Sequence, residues 1–378
     1  MLERLLRTPL QEGDATPGKL LLRALLLVAL YRLEARPGDA HTIVDQAVNA
    51  AAEIDQGRFK ALVNAILRNR LRRDAELLSA ANADPVARYQ HPLWWIDRIR
   101  LAHPACWEDI LAADNSHPPM GLRVNRRRGD ARAYLALLTD VGIAARLVAD
   151  EDCAILLERP QPVERLPGFF QGLVSVQDVG AQHAAPLLGV ADGMRVLDAC
   201  AAPGGKATHL LELADIELLA LDAEPQRTAR IADNLARLGL QAEVNSVDCR
   251  ALEQWWDGRP FQRILADVPC TASGVVRRHP DGKWLRRETD IAGFARSQAE
   301  ILDALWRVLA PSGKMLYCTC SLFPQENALQ MAAFAARHGD AVSLPVTGGA
   351  GTGELQQWQL VPQEEHDGFF YALLQKFV

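Results

Sequence analysis

The 378-residue sequence carries 41 Lys and Arg against 47 Asp and Glu, a formal net charge of −6, and is 49% hydrophobic and 23% charged. That balance excludes a protein that coats nucleic acid through bulk charge, so a polyanionic partner must be met by local basic patches. Seven cysteines, an odd number in a long chain, argue against a disulfide-stapled secreted fold. The longest apolar run, Ala24 to Tyr31, lies between Arg23 and Arg32 and falls well short of the roughly 20 residues that span a bilayer. No small-residue cleavage pattern follows it, so a cytoplasmic protein without membrane association is expected.

A chain of this length exceeds one hydrophobic core, which rarely grows beyond about 250 to 300 residues. Residues 1–78 read as all helix. Leu20 to Leu33 is strongly apolar, Ile43, Val44, Ala47, Val48 and Ala51 recur at helical spacing, and Phe59, Leu62, Val63, Ile66 and Leu67 repeat the stripe. Residues 79–166 read as a helical connector (HPLWWIDRI, HPACWEDIL) followed by a small α+β module. Its elements are Leu122–Asn125, a helix around Ala131–Leu138, and strands near Arg146–Val148 and Ala154–Leu157. Pro160, Pro162 and Pro167 mark the next boundary.

Over residues 167–378 strands and helices alternate. Strands are expected at Arg195–Asp198, Glu217–Leu221, Glu243–Ser246, Arg263–Ala266 and Lys314–Cys318, and helices at Lys206–Leu213, Gln226–Leu238 and Ile291–Ala310. This rhythm implies an α/β domain with a mostly parallel sheet covered on both faces. The one low-complexity stretch is the short GGAGTGE loop, Gly348 to Glu354.

The most informative stretch is MRVLDACAAPGGKATHL, Met194 to Leu210. A buried strand ends at Asp198, and Ala199, Cys200, Ala201, Ala202, Pro203, Gly204 and Gly205 lead into a helix opening near Lys206. In doubly wound sheets a ligand approaches the backbone at this loop, and the two glycines leave room for it. The spacing is neither GxGxxG nor Walker A, which disfavours nicotinamide cofactors and nucleoside triphosphates. Asp222 ends the second strand about 20 residues on, where an acidic side chain reaches ribose hydroxyls. Asp248 follows the third strand and could meet an adenine amine. An ordinary helix N-cap explains Asp222 taken alone, but not three strands that each end in an aspartate, Asp198, Asp222 and Asp248, at one sheet edge.

The fourth strand ends in ADVPCTASG, Ala266 to Gly274, and the fifth in YCTCS, Tyr317 to Ser321. Asp267, Cys270, Cys318 and Cys320 therefore share that edge. A zinc site from Cys270, Cys318, Cys320 and Cys249 fits poorly, since structural zinc favours C-x2–4-C pairs, and no metal is expected. Cys318 ends a strand that alternates inward and suits a core position. Cys320 lies past the strand end, where a reacting base could reach it.

CAAPGGK, DVPCTASG, RRHPD and CTCS together resemble the bacterial ribosomal RNA cytosine-5 methyltransferases, and SVQDVGAQ, SLFPQEN and HDGFFYALLQK extend the likeness over essentially the whole chain. The resemblance implies a class I, Rossmann-like, S-adenosylmethionine-dependent methyltransferase domain. It is preceded by an RNA-binding module and a NusB-like helical domain that starts partway through the usual set of helices. S-adenosyl-L-methionine is the implied cofactor, held by Cys200 to Lys206, Asp222, Asp248 and Asp267. The implied substrate is a cytosine in 16S ribosomal RNA, naked or partly assembled, and the chain is expected to act as a monomer.

The paired cysteines set RNA enzymes of this kind apart from the DNA ones. By resemblance, Cys320 attacks carbon 6 of the base and Cys270 assists loss of the carbon 5 proton and release. Asp267, oriented by Lys206, faces the N3 and amino edge. The target must be single-stranded or flipped out. Three basic groups, within 68–73, 123–128 and 277–287, each read alone as a solvated face but together favour a polyanionic partner, and the arginines around Arg277 and Arg278 are expected to hold phosphates near the pocket. Two other readings are the same reaction on another ribosomal or transfer RNA cytosine, and a non-catalytic RNA-binding assembly factor. The intact cofactor loop and cysteine pair weigh against the second.

Overall fold

The computed structural model describes residues 16–149, 152–347 and 354–377, so nearly all of the Gly348–Glu354 loop and the first residues of the helical region lie outside the described residues. The chain forms two compact units, Met1–His91 and Pro92–Val378. In the first, α1 (Pro17–Ala35), α2 (Ala40–Ala50), α3 (Lys60–Arg72), α4 (Asp74–Asn82) and α5 (Pro85–Tyr89) follow one another. Leu22, Leu26, Leu30 and Leu33 of α1 meet Ile43, Val44 and Ala47 of α2 and Val63, Ile66 and Leu67 of α3 in one core. These are the i, i+3, i+4 stripes of amphipathic helices. The helical unit runs past residue 78, because α4 spans that position and α5 follows it.

The second unit opens with α6 (Leu93–Ala102) and α7 (Trp107–Asp114). An antiparallel sheet follows, with α8 (Ala131–Asp140) between its first two strands in sequence. Its order is β2-β3-β1-β4, from β1 (Met120–Val124), β2 (Ala145–Leu147), β3 (Ala154–Leu157) and β4 (Val174–Val176). Tyr134 and Leu138 of α8 pack on Leu122, Val124, Ile155 and Val174. The fourth strand comes from beyond the prolines at 160–167, so the small sheet crosses the boundary read at residue 166.

Then come α9 (Val179–Gln182), α10 (Ala184–Leu188), β5 (Arg195–Asp198), α11 (Gly205–Leu213), β6 (Glu217–Asp222), α12 (Pro225–Leu238), β7 (Glu243–Ser246), α13 (Leu252–Trp255), β8 (Phe261–Asp267), α14 (Gly282–Leu285), α15 (Asp290–Val308), β9 (Leu309–Thr319), α16 (Ala328–Arg337) and β10 (Ala341–Leu344). A short ribbon, β11 (Val346–Thr347) with β12 (Glu354–Leu355), precedes β13 (Trp358–Leu360) and β14 (Phe369–Lys376). The large sheet runs β10-β14-β9-β8-β5-β6-β7, with β13 also on β14. The five strands from β9 to β7 are parallel, and β14 lies antiparallel beside β9.

Successive strand residues face opposite layers. Leu197, Leu219, Ile264, Met315 and Tyr317 pack against Leu302, Leu305, Trp306 and Phe334. Val196, Leu218, Leu265, Leu316 and Cys318 pack against Leu188, Leu210, Ile231 and Leu235. Burial on both faces explains why these strands read as continuous apolar runs. Among the described residues no helix is long and apolar enough to cross a membrane.

Among the described residues one arginine of each basic group is buried: Arg70, Arg123 and Arg277. Arg123, fully buried, pairs with Glu212 at 2.8 Å and donates to Gln177 at 2.5 Å, the Gly205 carbonyl at 2.6 Å and Thr208 at 3.1 Å. It thus carries the small sheet onto α11. Arg127 pairs with Asp215 at 2.6 Å, and Arg128 donates to the Gln171 and Leu238 carbonyls. In the helical unit Arg70 is buried and paired with Asp74, while Arg73 pairs with Glu76. A buried guanidinium requires such partners.

Arg123→Ala leaves Glu212 buried without a counter-charge, and the expected loss is about 3–5 kcal/mol of unfolding free energy. Urea denaturation of the full chain measures it. A loss below about 1 kcal/mol, the usual worth of an exposed pair, would contradict the account.

Candidate active site

The sheet order reverses direction between β5 and β8, since β6 and β7 lie on one side of β5 while β8 and β9 lie on the other. Ligands of open α/β sheets bind outside the carboxyl ends of the strands at such a switch point. There the structure brings together Asp198, the 199–205 loop, Asp267, Cys270, Cys318 and Cys320.

The small-residue loop is held by its neighbours. Ala199 and Ala201 donate their amides to the Leu265 and Leu221 carbonyls at 3.0 and 2.8 Å. The Ala202 amide donates to Asp222 at 3.2 Å, Arg227 to the Ala202 carbonyl at 3.0 Å, and Asn234 to the Pro203 carbonyl at 2.9 Å. The Ala202–Pro203 peptide is cis. Gly204 has φ +98°, and a side chain there would lie 3.2 Å from the Ile231 Cα, so glycine alone fits without strain. α11 starts at the next residue and places Lys206 in its first turn.

Lys206 Nζ stands 2.5 Å from Asp267 Oδ2, and the Cys318 thiol donates to Asp267 Oδ1 at 3.4 Å across the β8–β9 ladder. Burial alone would lower the lysine. Asp267, with the Cys318 and Cys320 thiols nearby, reverses this and holds the ammonium well above its usual range. Burial and Asp267 push the Cys318 thiol far up, so it stays a neutral donor. The side chain of Asp267 is 32% exposed, so its carboxylate remains open to a ligand.

Cys270 Sγ and Cys320 Sγ are 3.4 Å apart. Cys270 is buried and Cys320 partly exposed. The hydrogen bond with Cys320, together with burial, drives the Cys270 thiol well above the ordinary range. The remaining cysteines of the proposed quartet go elsewhere, because Cys249 pairs with Cys200, whose thiol this contact and burial push up, and Cys318 serves Asp267. Among the described residues no group of three or more His, Cys, Asp or Glu is placed to hold a metal ion.

The other acidic candidates differ in surroundings. Asp222 is buried, and besides Ala202 it accepts the Glu224 amide at 3.1 Å. Asp248, part-exposed, is held low by hydrogen bonds from Arg250, the nearest at 2.6 Å. Asp198 is read from the sequence as a strand end but not as a cofactor ligand. It is fully buried, neither carboxyl oxygen has a hydrogen-bond partner, and burial with Asp267 nearby pushes it to about 8. The Cys200 amide lies close enough to oppose this but outside hydrogen-bonding geometry.

Arg277 and Arg278 depart from the phosphate-holding expectation. Arg277 is buried and paired with Asp367 at 2.5 Å, while Arg278 pairs with Asp367 and with Asp178 at 2.8 Å and donates to the Pro119 carbonyl at 3.0 Å. Two guanidinium groups and two buried carboxylates neutralise one another beneath the site. Burial and Asp367 raise Asp178 to about 6. Lys283 is likewise buried, donating to Asn115 at 2.6 Å.

A 3-2-1-4-5 parallel order closed by an antiparallel strand, with a small-residue loop at its switch point, defines a Rossmann-type methyltransferase domain. Residues 185–375 match the family described as 16S rRNA methyltransferase RsmB/F, residues 91–164 the ferredoxin-like domain of RsmF/B-like methyltransferases, and residues 1–72 the NusB family. The chain is 46% identical over 376 residues to ribosomal RNA small subunit methyltransferase B of Pseudomonas putida, covering 99% of this chain and 85% of the relative. It is also 46% identical over 353 residues to the protein of that name in Klebsiella pneumoniae, covering 93% and 81%. A solved methyltransferase homologue from Pyrococcus horikoshii superposes with a TM-score of 0.68 at 27% identity, over 77% of this chain and 97% of its own. The chain belongs to the 16S rRNA methyltransferase RsmB/F family.

Asp198→Asn tests the buried carboxyl. Its folded value of about 8 exceeds the ordinary 3.8, so the native state binds the extra proton between those values. The stability it contributes is complete below about 4 and is lost as pH rises through 8. The variant's unfolding free energy, relative to the native chain, should therefore improve steadily from pH 4 to 8. A constant difference across that window would refute the assignment.

Proposed function

We propose that the chain methylates carbon 5 of a cytosine in 16S ribosomal RNA, with S-adenosylmethionine as donor and Cys320 as nucleophile. The observation that carries this reading is the pair of facing sulfurs, 3.4 Å apart, one buried and kept neutral, the other reachable.

The residues at the switch point suit the donor. The unpartnered Asp198 carboxyl calls for a hydrogen-bond donor or cation, the glycine bend at Gly204 admits a ligand against backbone, and Asp222, Asp248 and Asp267 line the same edge. Cys200 to Lys206 would cradle this group, with Asp222 towards its ribose and Asp248 towards its adenine. When bound it supplies an electrophilic methyl on a sulfonium.

Carbon 5 of cytosine is a weak nucleophile. Addition of the Cys320 thiolate to carbon 6 breaks the ring conjugation and turns the carbon 5 to carbon 6 bond into an enamine, whose electron pair takes the methyl. A protonated Cys270 thiol, 3.4 Å away, can donate to the Cys320 sulfur. The Lys206 ammonium, paired with Asp267, also interacts with Cys320. Asp267 faces the N3 and amino edge and accepts from the amine, and protonation or hydrogen bonding at N3 stabilises the charge that develops there during attack. Removal of the carbon 5 proton, which Cys270 assists once its own proton has left to solvent, returns the electrons to the ring and expels the Cys320 thiolate.

RNA contact falls to what is exposed beside the Cys270 loop. Trp284 and Leu285 are 53% and 72% exposed, Arg287 is exposed, and Arg286 reaches the Thr271 carbonyl at 3.4 Å. An aromatic face between basic side chains suits splayed single-stranded bases.

Cys320→Ala should abolish methyl transfer while S-adenosylmethionine still binds by calorimetry. Cys270→Ala should accumulate a covalent protein–RNA species that survives a denaturing gel, with turnover reduced about 10²-fold or more. Accumulation with Cys320→Ala instead would reverse the two roles.

A further inference from the structure

Glu326 is fully buried, and among the described residues no cation pairs with it. Its carboxylate is instead saturated by four donors. Oε1 accepts the Thr271 amide at 2.9 Å and Gln298 Nε2 at 3.1 Å, and Oε2 accepts the Thr271 and Ser321 hydroxyls, each at 2.5 Å. Thr271 is the residue after Cys270, and Ser321 is the residue after Cys320. One carboxylate therefore holds the two cysteine loops, from different strands, by the next residue of each.

The surrounding bonds extend the clamp. Ser273 Oγ lies 3.2 Å from Ser321 Oγ and accepts the Leu322 amide at 2.7 Å, while the Gly274 amide donates to the Cys320 carbonyl at 2.8 Å. Gln298 also donates to the Pro269 carbonyl at 2.9 Å, and the Tyr317 hydroxyl donates to the Glu326 carbonyl at 2.5 Å. The Glu326 charge acts on Cys270 directly, as one of the influences that raise its thiol. Burial pushes Glu326 itself up, and the donated hydrogen bonds oppose this. A buried carboxylate without a cation is costly, and its four donors offset that cost only while both loops stay in register.

We propose that Glu326 is a positioning residue for the methyl-transfer site: it fixes the spacing of the Cys270 and Cys320 sulfurs and keeps their roles distinct. The roles themselves rest on the reaction proposed above. Glu326 touches neither sulfur and acts through Thr271 and Ser321.

The test reads the thiols without RNA or methyl donor, so its failure is separate from failure of that reaction. Iodoacetamide labelling of the full chain, followed by peptide mass spectrometry, gives the alkylation rates of Cys270 and Cys320. The native chain should label at Cys320 and spare Cys270. Glu326→Gln removes the charge and turns one acceptor into a donor facing donors, so the Cys270-to-Cys320 rate ratio should rise about tenfold or more. In turnover, kcat should fall about 10²-fold, as for a displacement of order 1 Å, while KM for RNA holds. An unchanged rate ratio in a folded Glu326→Gln variant would overturn the proposal. If that variant does not fold, Thr271→Val and Ser321→Ala each delete one hydroxyl donor and should raise the ratio in the same direction. Native ratios in both would overturn it equally.

Discussion

The ion pair between Lys206 and Asp267 joins the two halves of the parallel sheet at the one place where they part. Lys206 belongs to the helix that leaves β5 in one direction, and Asp267 ends β8 on the other side of the switch point. Their 2.5 Å contact has consequences beyond its own energy. It gives a part-exposed carboxylate a cationic partner beside the Cys318 thiol that donates to it, and it sets a positive charge that interacts with Cys320. The orphaned Asp198 sits behind it and is kept neutral partly by the Asp267 charge. The proposed cofactor loop, base-facing carboxylate and nucleophile thus share one electrostatic centre.

Two buried polar assemblies hold the chemistry in place from outside that centre. Arg123 reaches from the small sheet into the start of α11, fixing Gly205 and so the end of the cofactor loop. Arg277 and Arg278 with Asp178 and Asp367 do the same beneath the Cys270 loop. The connector helices contribute as well. Trp95 packs edge-on to Phe323 at 5.3 Å, and His103 Nε2 lies 2.9 Å from the Leu322 carbonyl, just past Cys320. The connector helices therefore brace the segment just past Cys320, in the proposed active site.

What could be read in the sequence follows from local physics. Strands buried on both faces show as continuous apolar runs, so β5 and β7 match the expected spans Arg195–Asp198 and Glu243–Ser246, and β6, β8 and β9 exceed theirs by a few residues at their ends. The strand ends that meet at the candidate site were legible because aspartate, glycine and cysteine stand out against such runs. Partnerships across long sequence separations were not. Arg123 finds Glu212 at a separation of 89 residues and Arg277 finds Asp367 at 90, and nothing local distinguishes these arginines from solvated ones. Glu326 looks like a surface residue in SLFPQEN, and only the meeting of two loops buries it. The antiparallel β14, which closes the sheet against β9, was visible as the apolar FFYALL run but carried no sign of its partner.

The central claim is that this chain places a methyl group on one small-subunit ribosomal RNA cytosine. Bisulfite sequencing of 16S ribosomal RNA from a strain lacking the gene tests it most directly. The account predicts that one cytosine, protected from conversion in the parent, becomes convertible, and that the native gene restores protection while the Cys320→Ala allele does not. Full protection of every parental site in the deletion strain would contradict it.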